Sequence, residues 1–279
     1  MQVICNIKQM QKIIAELDKN KTVGMVPTMG FLHAGHLSLV RLAQKKADIT
    51  IVSIFVNPTQ FGPNEDFKRY PRDEKGDLKK LHDLEVDYVF IPKASAMYPA
   101  DFQTEVSVKE LTKPLCGRSR PGHFNGVMTV VNKLFNIIKP DFAVFGQKDF
   151  QQLLSIKKMV VDLNIPIQIV AAPIVRENDK LAMSSRNVYL SKEQRKDAPN
   201  INNGLTAVKR ACLQKKLSVG KMKEIFLKAL PKRDYIRVDY VECLDVNDLT
   251  EITSYKKGHT LMAVAVFFGK TRLIDNRIF

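Results

Sequence analysis

Apolar residues along this chain switch repeatedly between two spacings. Met10, Ile13, Ile14 and Leu17 share one face of a helix over residues 8–19, so the N-terminus is expected to run straight into a helix. Residues 22–28 read as a strand, 36–47 as a helix, and 49–56 as a strand buried on both faces. The alternation continues with a helix over 73–84 and a short strand over 88–91. A helix over 125–138, a strand over 142–145, a helix over 149–162 and a strand over 166–171 complete it. Apolar strands alternating with helices predict an α/β fold: a Rossmann-like parallel sheet with helices on both faces. In such sheets ligands bind at the carboxyl ends of the strands.

After about residue 175 the pattern changes. Two helical stretches, 191–213 and 218–229, precede strands near 235–243, 260–268 and 271–275, the last two joined by a tight Gly269-Lys270 turn that reads as a hairpin. The expected organisation is therefore a Rossmann-like domain over 1–175 and a smaller α+β C-terminal domain over 176–279.

Composition narrows this picture. Apolar residues at 45% and charged residues at 26% of 279 are ordinary globular values. No apolar run approaches the length of a membrane span, and the N-terminus lacks a basic, apolar and cleavable leader, so a cytoplasmic protein with no membrane partner is expected. Cys5, Cys116, Cys212 and Cys243 lie far apart in no zinc pattern and read as free thiols, with no protein-held metal. The net charge of +15 favours anionic partners. Much of it falls between Lys192 and Lys232 on helical faces, without the aromatic–basic interleaving of a base-stacking surface, so nucleic acid is not the expected partner.

Five segments carry candidate chemistry. In Pro27-Thr28-Met29-Gly30-Phe31-Leu32-His33-Ala34-Gly35-His36 a strand ends, a glycine turn follows and a helix begins. That order gathers free backbone N–H groups at a helix N-terminus, a natural anion site, and adds two histidine donors. Asn57-Pro58-Thr59-Gln60 ends the next strand in a turn presenting two uncharged amides, Asn57 and Gln60. The polar stretch 62–72 reads as a flap. Arg118, Arg120, His123 and Asn125 form a cationic loop before a helix. Gly146-Gln147-Lys148-Asp149 repeats the strand–glycine–helix arrangement, with Asp149 as expected N-cap and Lys148 at an anion's approach. Met183-Ser184-Ser185-Arg186 combines hydroxyls with a guanidinium, a set suited to phosphate.

In this order and spacing the segments resemble the pantoate–β-alanine ligase family of the HIGH-motif nucleotidyltransferase superfamily. The resemblance implies that pantoate and ATP give a pantoyl adenylate and pyrophosphate. The β-alanine amine then displaces AMP to yield pantothenate. It further implies that Met29, Gly30, Phe31, Leu32, His33, Ala34, Gly35 and His36 line the ATP site. His36 would be the proton donor, and His33 would stabilise phosphate charge. Gln60 would touch pantoate and β-alanine, and Gln152 would hold pantoate. Gly146, Gln147, Lys148 and Asp149 would bind nucleotide, with Lys148 catalytic at the phosphate. Val175 would meet adenine through its backbone. Met183, Ser184, Ser185 and Arg186 would close over the phosphates, as the KMSKS loop does in class I aminoacyl-tRNA synthetases. Mg²⁺ on the triphosphate and a homodimer are implied as well. Two positions depart from the family pattern: Lys180 stands where glycine is usual, so the turn there is not expected to hold a positive φ readily, and Gln147 replaces a common glutamate. The competing readings are another HIGH-motif enzyme, such as a pantetheine-phosphate adenylyltransferase, or an RNA-binding basic C-terminal half.

Overall fold

The computed structural model describes residues 1–63 and 65–279. Among these, a six-stranded sheet comprises β1 (Gln2–Ile4), β2 (Val23–Thr28), β3 (Ile49–Ile54), β4 (Tyr88–Phe90), β5 (Phe142–Gly146) and β6 (Gln168–Ala172). Its order is β1-β4-β3-β2-β5-β6, with every pairing parallel. The helices between are α1 (Ile7–Glu16), α2 (Ala34–Gln44), α3 (Glu74–Asp83), α4 (Ala94–Met97), α5 (Cys116–Ser119), α6 (His123–Ile138) and α7 (Phe150–Asp162). Residues of α1, α6 and α7, such as Met10, Val131, Leu134 and Met159, pack on one sheet face. Leu39 and Val40 of α2 and Leu81 of α3 cover the other. Both faces being covered explains why the strands read as unbroken apolar runs.

The chain order of strands runs outward in opposite directions from β2 and β5. Between these two neighbours the crossovers leave on opposite faces and open a crevice at the carboxyl ends. The glycine turns after β2 and β5 both open there.

Beyond β6 lie α8 (Lys192–Asp197), α9 (Asn200–Gln214) and α10 (Val219–Ala229), then the antiparallel sheet β7 (Ile236–Asp245), β8 (Thr260–Phe268) and β9 (Thr271–Ile278). Leu261, Ala263 and Ala265 of β8 face the N-terminal core, while Met262, Val264 and Val266 face α9 and α10. The period of two thus buries this central strand on both sides. The Gly269-Lys270 hairpin is present, with Phe268 opposite Thr271.

Three differences from the sequence reading have local causes. β1 precedes the first helix, because three residues pairing at a sheet edge carry too short a pattern to see. The expected helix 191–213 is broken, since Pro199 lacks the N–H that a continuing helix needs. Lys180 does adopt a positive φ of 73°: its N–H donates to the Glu177 carbonyl, its own carbonyl accepts from Arg176, and the flanking pair Glu177–Leu181 closes the turn around it. Among the described residues no helix is long and apolar enough to cross a membrane.

Candidate active site

The turn after β2 is held from outside. Gly30 has φ +80°, a conformation that glycine adopts without strain, and its N–H donates to Thr28 Oγ1. The next two N–H groups, of Phe31 and Leu32, each donate to Asp77 over 2.6 Å. Lys80 donates from Nζ to the Leu32 carbonyl. Asp77 is 1% exposed, so its charge is compensated mainly by this turn and by Lys80 at 3.7 Å. α2 therefore starts at Ala34, earlier than its pattern suggests, with His33 as N-cap.

His33 Nδ1 accepts from Gly35 N–H, and His36 Nδ1 accepts from His33 N–H. Both neutral rings therefore carry their proton on Nε2. Burial pushes His33 down to about 4, helped by Lys148, and holds His36 well below 6.5, helped by His33 and Lys148. At neutral pH the pair is two N–H donors without net charge.

Burial also lowers His123 to about 4, with Arg120 as the second cause. For all three histidines the unfolded chain binds protons that the folded chain excludes, so stability rises with pH in this range. The thermal midpoint should hold steady above about pH 6.5 and drop as pH falls towards about 4. A midpoint unchanged between pH 7 and 4.5 would contradict the buried neutral state.

Asn57 differs from its expected part. It is 1% exposed and its amide is saturated: Nδ2 donates to Gln60 Oε1 and the Gly126 carbonyl, while Oδ1 accepts from Thr59 and Tyr98. It is a brace for Gln60, not a free donor. From the opposite side the Gln60 carbonyl accepts from His123 Nδ1 at 2.8 Å and Arg120 Nη2 at 3.3 Å. Arg120 donates to His123 Nε2, which fixes the neutral tautomer, and is itself held by Glu65. On α7, Gln151 turns inward to bond Cys116 N–H and the carbonyls of Leu111 and Pro114, whereas the adjacent Gln152 turns to the cleft.

Asp149 occupies the N-cap position of α7 but makes no capping hydrogen bond; its Oδ2 lies 3.7 Å from Lys148 Nζ. Asn276 of β9 donates to the carbonyls of both Gln147 and Lys148, fixing this turn from the C-terminal sheet. Val175 accepts from Met183 N–H, Ser184 Oγ accepts from Arg186 N–H, and Ser185 Oγ donates to the Phe31 carbonyl. Ser184 thus shapes the loop as an acceptor, and Ser185 ties it to the turn after β2.

These contacts close a cleft of about 220 Å³. Met29, His33, Gly35 and His36 line it from one turn, and Gly146, Lys148 and Asp149 from the other. Gln60, Gln152, Asn57, Val175 and the Met183–Arg186 loop also line it. Gly30, Phe31, Leu32, Ala34 and Gln147 do not line it; they carry the backbone that shapes it, Leu32 buried in the core and Ala34 exposed. A wider cavity of about 700 Å³ shares Lys148, Asp149, Gln152, Ser184 and Arg186 with the cleft and opens towards Arg237 and Arg272 of the C-terminal sheet. Asp77 and Asn276 carry no signal in the sequence: Asp77 is a single buried polar residue in an otherwise ordinary helix, Asn276 sits beside the equally buried Asp275 on β9, and only their distant partners reveal them.

The N–H groups of Gly30, Phe31, Leu32, His33 and Gly35, expected to be free for an anion, are thus taken up within the protein, and the turn offers the cleft its two histidine rings instead. Two neutral histidines and Lys148 at the switch point of a doubly wound sheet, faced by two amides, define the class: an α/β enzyme. The family model described as Pantoate-beta-alanine ligase matches residues 2–278. A pantothenate synthetase of Caldicellulosiruptor bescii is 54% identical over 99% of this chain and 98% of its own length. The solved pantothenate synthetase of Thermus thermophilus superposes with a TM-score of 0.94 at 42% identity, covering 99% of both chains. The Francisella tularensis pantoate–β-alanine ligase, solved with β-γ ATP and β-alanine, superposes with a TM-score of 0.82 at 34% identity, over 100% of this chain and 97% of that one. The chain belongs to the pantoate–β-alanine ligase family, and its activity is that of a ligase joining pantoate to β-alanine.

Proposed function

We propose that the cleft performs this condensation in two steps at the expense of ATP. A pantoate carboxylate oxygen attacks the α-phosphorus, the bond to the β-phosphate oxygen breaks, and pyrophosphate leaves. The β-alanine amine then attacks the acyl carbon, the carbon–oxygen bond to AMP breaks, and the nitrogen loses a proton to give pantothenate. The observation that carries this reading is the convergence of the turns after β2 and β5 with Gln60 and Gln152 between them.

Negative charge builds on the oxygens around the α-phosphorus in the first step, and preorganised donors facing them are the main resource. The Nε2–H groups of His33 and His36, Lys148 and Arg186 are those donors. His36 acts as a neutral hydrogen-bond donor, because its proton is held on Nε2 and its imidazolium is disfavoured. Val175, which lines the cleft, meets adenine through its backbone. Gln60, fixed by Asn57 and His123, touches both organic substrates, and Gln152 holds pantoate. Among the described residues no three metal-ligating side chains converge. Mg²⁺ entering with the triphosphate would be carried by phosphate oxygens, with Asp149 the carboxylate beside it; it supplies charge neutralisation there. Residues 176–279 act as a separate lid unit over 1–175, and a cytoplasmic homodimer completes the reading.

Pyrophosphate exchange into ATP should depend on pantoate, and AMP and pantothenate should form only with β-alanine added. Exchange driven instead by a phosphate monoester would overturn the reading. In the same assay Gln60→Ala should raise the KM of pantoate and β-alanine about tenfold or more, with that of ATP changed little. A shift confined to ATP would refute the assignment of Gln60.

A further inference from the structure

Arg186 is expected to meet phosphate, yet it is already occupied. Its Nε and Nη2 both donate to Asp66, over 2.9 Å each, in the paired geometry that a phosphate would use. The pair is well shielded, with side-chain exposures of 28% and 15%. Asp66 belongs to the polar stretch 62–72, of which position 64 lies outside the described residues. The stretch is also held by Tyr189 Oη donating to the Arg69 carbonyl, and by the Arg186 guanidinium over the Tyr70 ring at 5.7 Å. A second anchor is independent: Glu65 on Arg120. One of the two edges through which Arg186 can bind an anion by parallel bonds, the Nε–Nη2 edge, is therefore filled by a carboxylate of the same chain.

We propose that Asp66 is an internal stand-in for a nucleotide phosphate. ATP binds by exchanging its phosphate oxygens for the Asp66 carboxylate on Arg186, which frees residues 65–72 from that anchor. The inference rests on the nucleotide reading above and adds a specificity consequence: a ligand too weakly anionic to displace Asp66 gains no paired bonds on the Nε–Nη2 edge of Arg186. It also means that Asp66 opposes ATP binding although it touches the residue that assists it.

The test uses the full chain and a non-hydrolysable ATP analogue, titrated calorimetrically without pantoate. Asp66→Asn should bind the analogue about fivefold more tightly than the unsubstituted protein, the scale of one competing ion pair removed. Glu65→Gln, which loosens the same stretch at its other anchor, should leave affinity within about twofold. Unchanged or weaker binding by Asp66→Asn would make Asp66 a positioning residue for Arg186 and overturn the proposal. Equal tightening by both variants would overturn it as well. The chain has no tryptophan, so Phe67→Trp, in otherwise unaltered protein, gives a single reporter. Its emission should change with the analogue and saturate at the same concentration; a silent reporter under saturating analogue would refute the displacement. Failure of the unsubstituted protein to bind the analogue would sink the nucleotide reading, whereas binding that Asp66→Asn does not tighten sinks the exchange alone.

Discussion

Replacing His36 with alanine is expected to slow pantoate-dependent pyrophosphate exchange by about a hundredfold or more, the usual loss when one preorganised donor to developing charge is removed. Structure around the site should survive. The His36 ring accepts a single hydrogen bond, from His33 N–H, and loss of such a local cap lowers stability by only about 1 kcal/mol. Exchange and thermal unfolding measured on one preparation separate the two effects. Near-normal exchange would refute the role. The pH profile of kcat/KM sharpens the test. A histidine acting as an imidazolium acid would put a limb near 6.5, but His33 and His36 are both held neutral there by burial, so they should contribute no limb between about pH 5.5 and 7.5.

Gly126→Ala is expected to damage the same reaction from outside the cleft. A Cβ on Gly126 would sit 2.4 Å from the Thr59 carbonyl oxygen and 2.7 Å from the Gln60 nitrogen, both main-chain atoms. No rotamer relieves this contact, so α6 or the turn at 58–60 must move. Overpacking of this kind destabilises by about 1–3 kcal/mol. The functional effect is larger, because the turn carries Gln60 and its brace Asn57, which donates to the Gly126 carbonyl itself. A misplacement of about 1 Å in a positioning group lowers rates by about a hundredfold. Pantothenate formation should fall on that scale, while affinity for an ATP analogue stays within about threefold, since the turns proposed to hold nucleotide lie elsewhere. Unaltered kinetics would show that the helix-to-turn contact does not position Gln60.

The parts of the site that are legible in the sequence are those built locally. The turn after β2 and the turn after β5 each announce themselves over a short stretch, because strand, glycine and helix start are short-range features. Gln60 is legible for the same reason. Asn57, just past the same strand, reads as a free donor and is not one, because its partners Gly126 and Tyr98 lie 69 and 41 residues away. Arg186 and Arg120 read as free cations; the carboxylates that hold them, Asp66 and Glu65, are 120 and 55 residues distant.

By itself, then, the sequence determined the alternation of strands and helices, the two strand–glycine–helix turns and the resemblance that led to the ligase. These follow from backbone periodicity and from which residues can start or stop an element. Tertiary structure alone decided which strands became neighbours and hence that both turns share one crevice. It decided too that Asp77 and Asn276 hold those turns in shape, and that the histidines are neutral and Arg186 already paired. Each of these depends on burial and on polar groups meeting across the fold, where a dry surrounding makes an unpaired charge or N–H costly and so selects its partner.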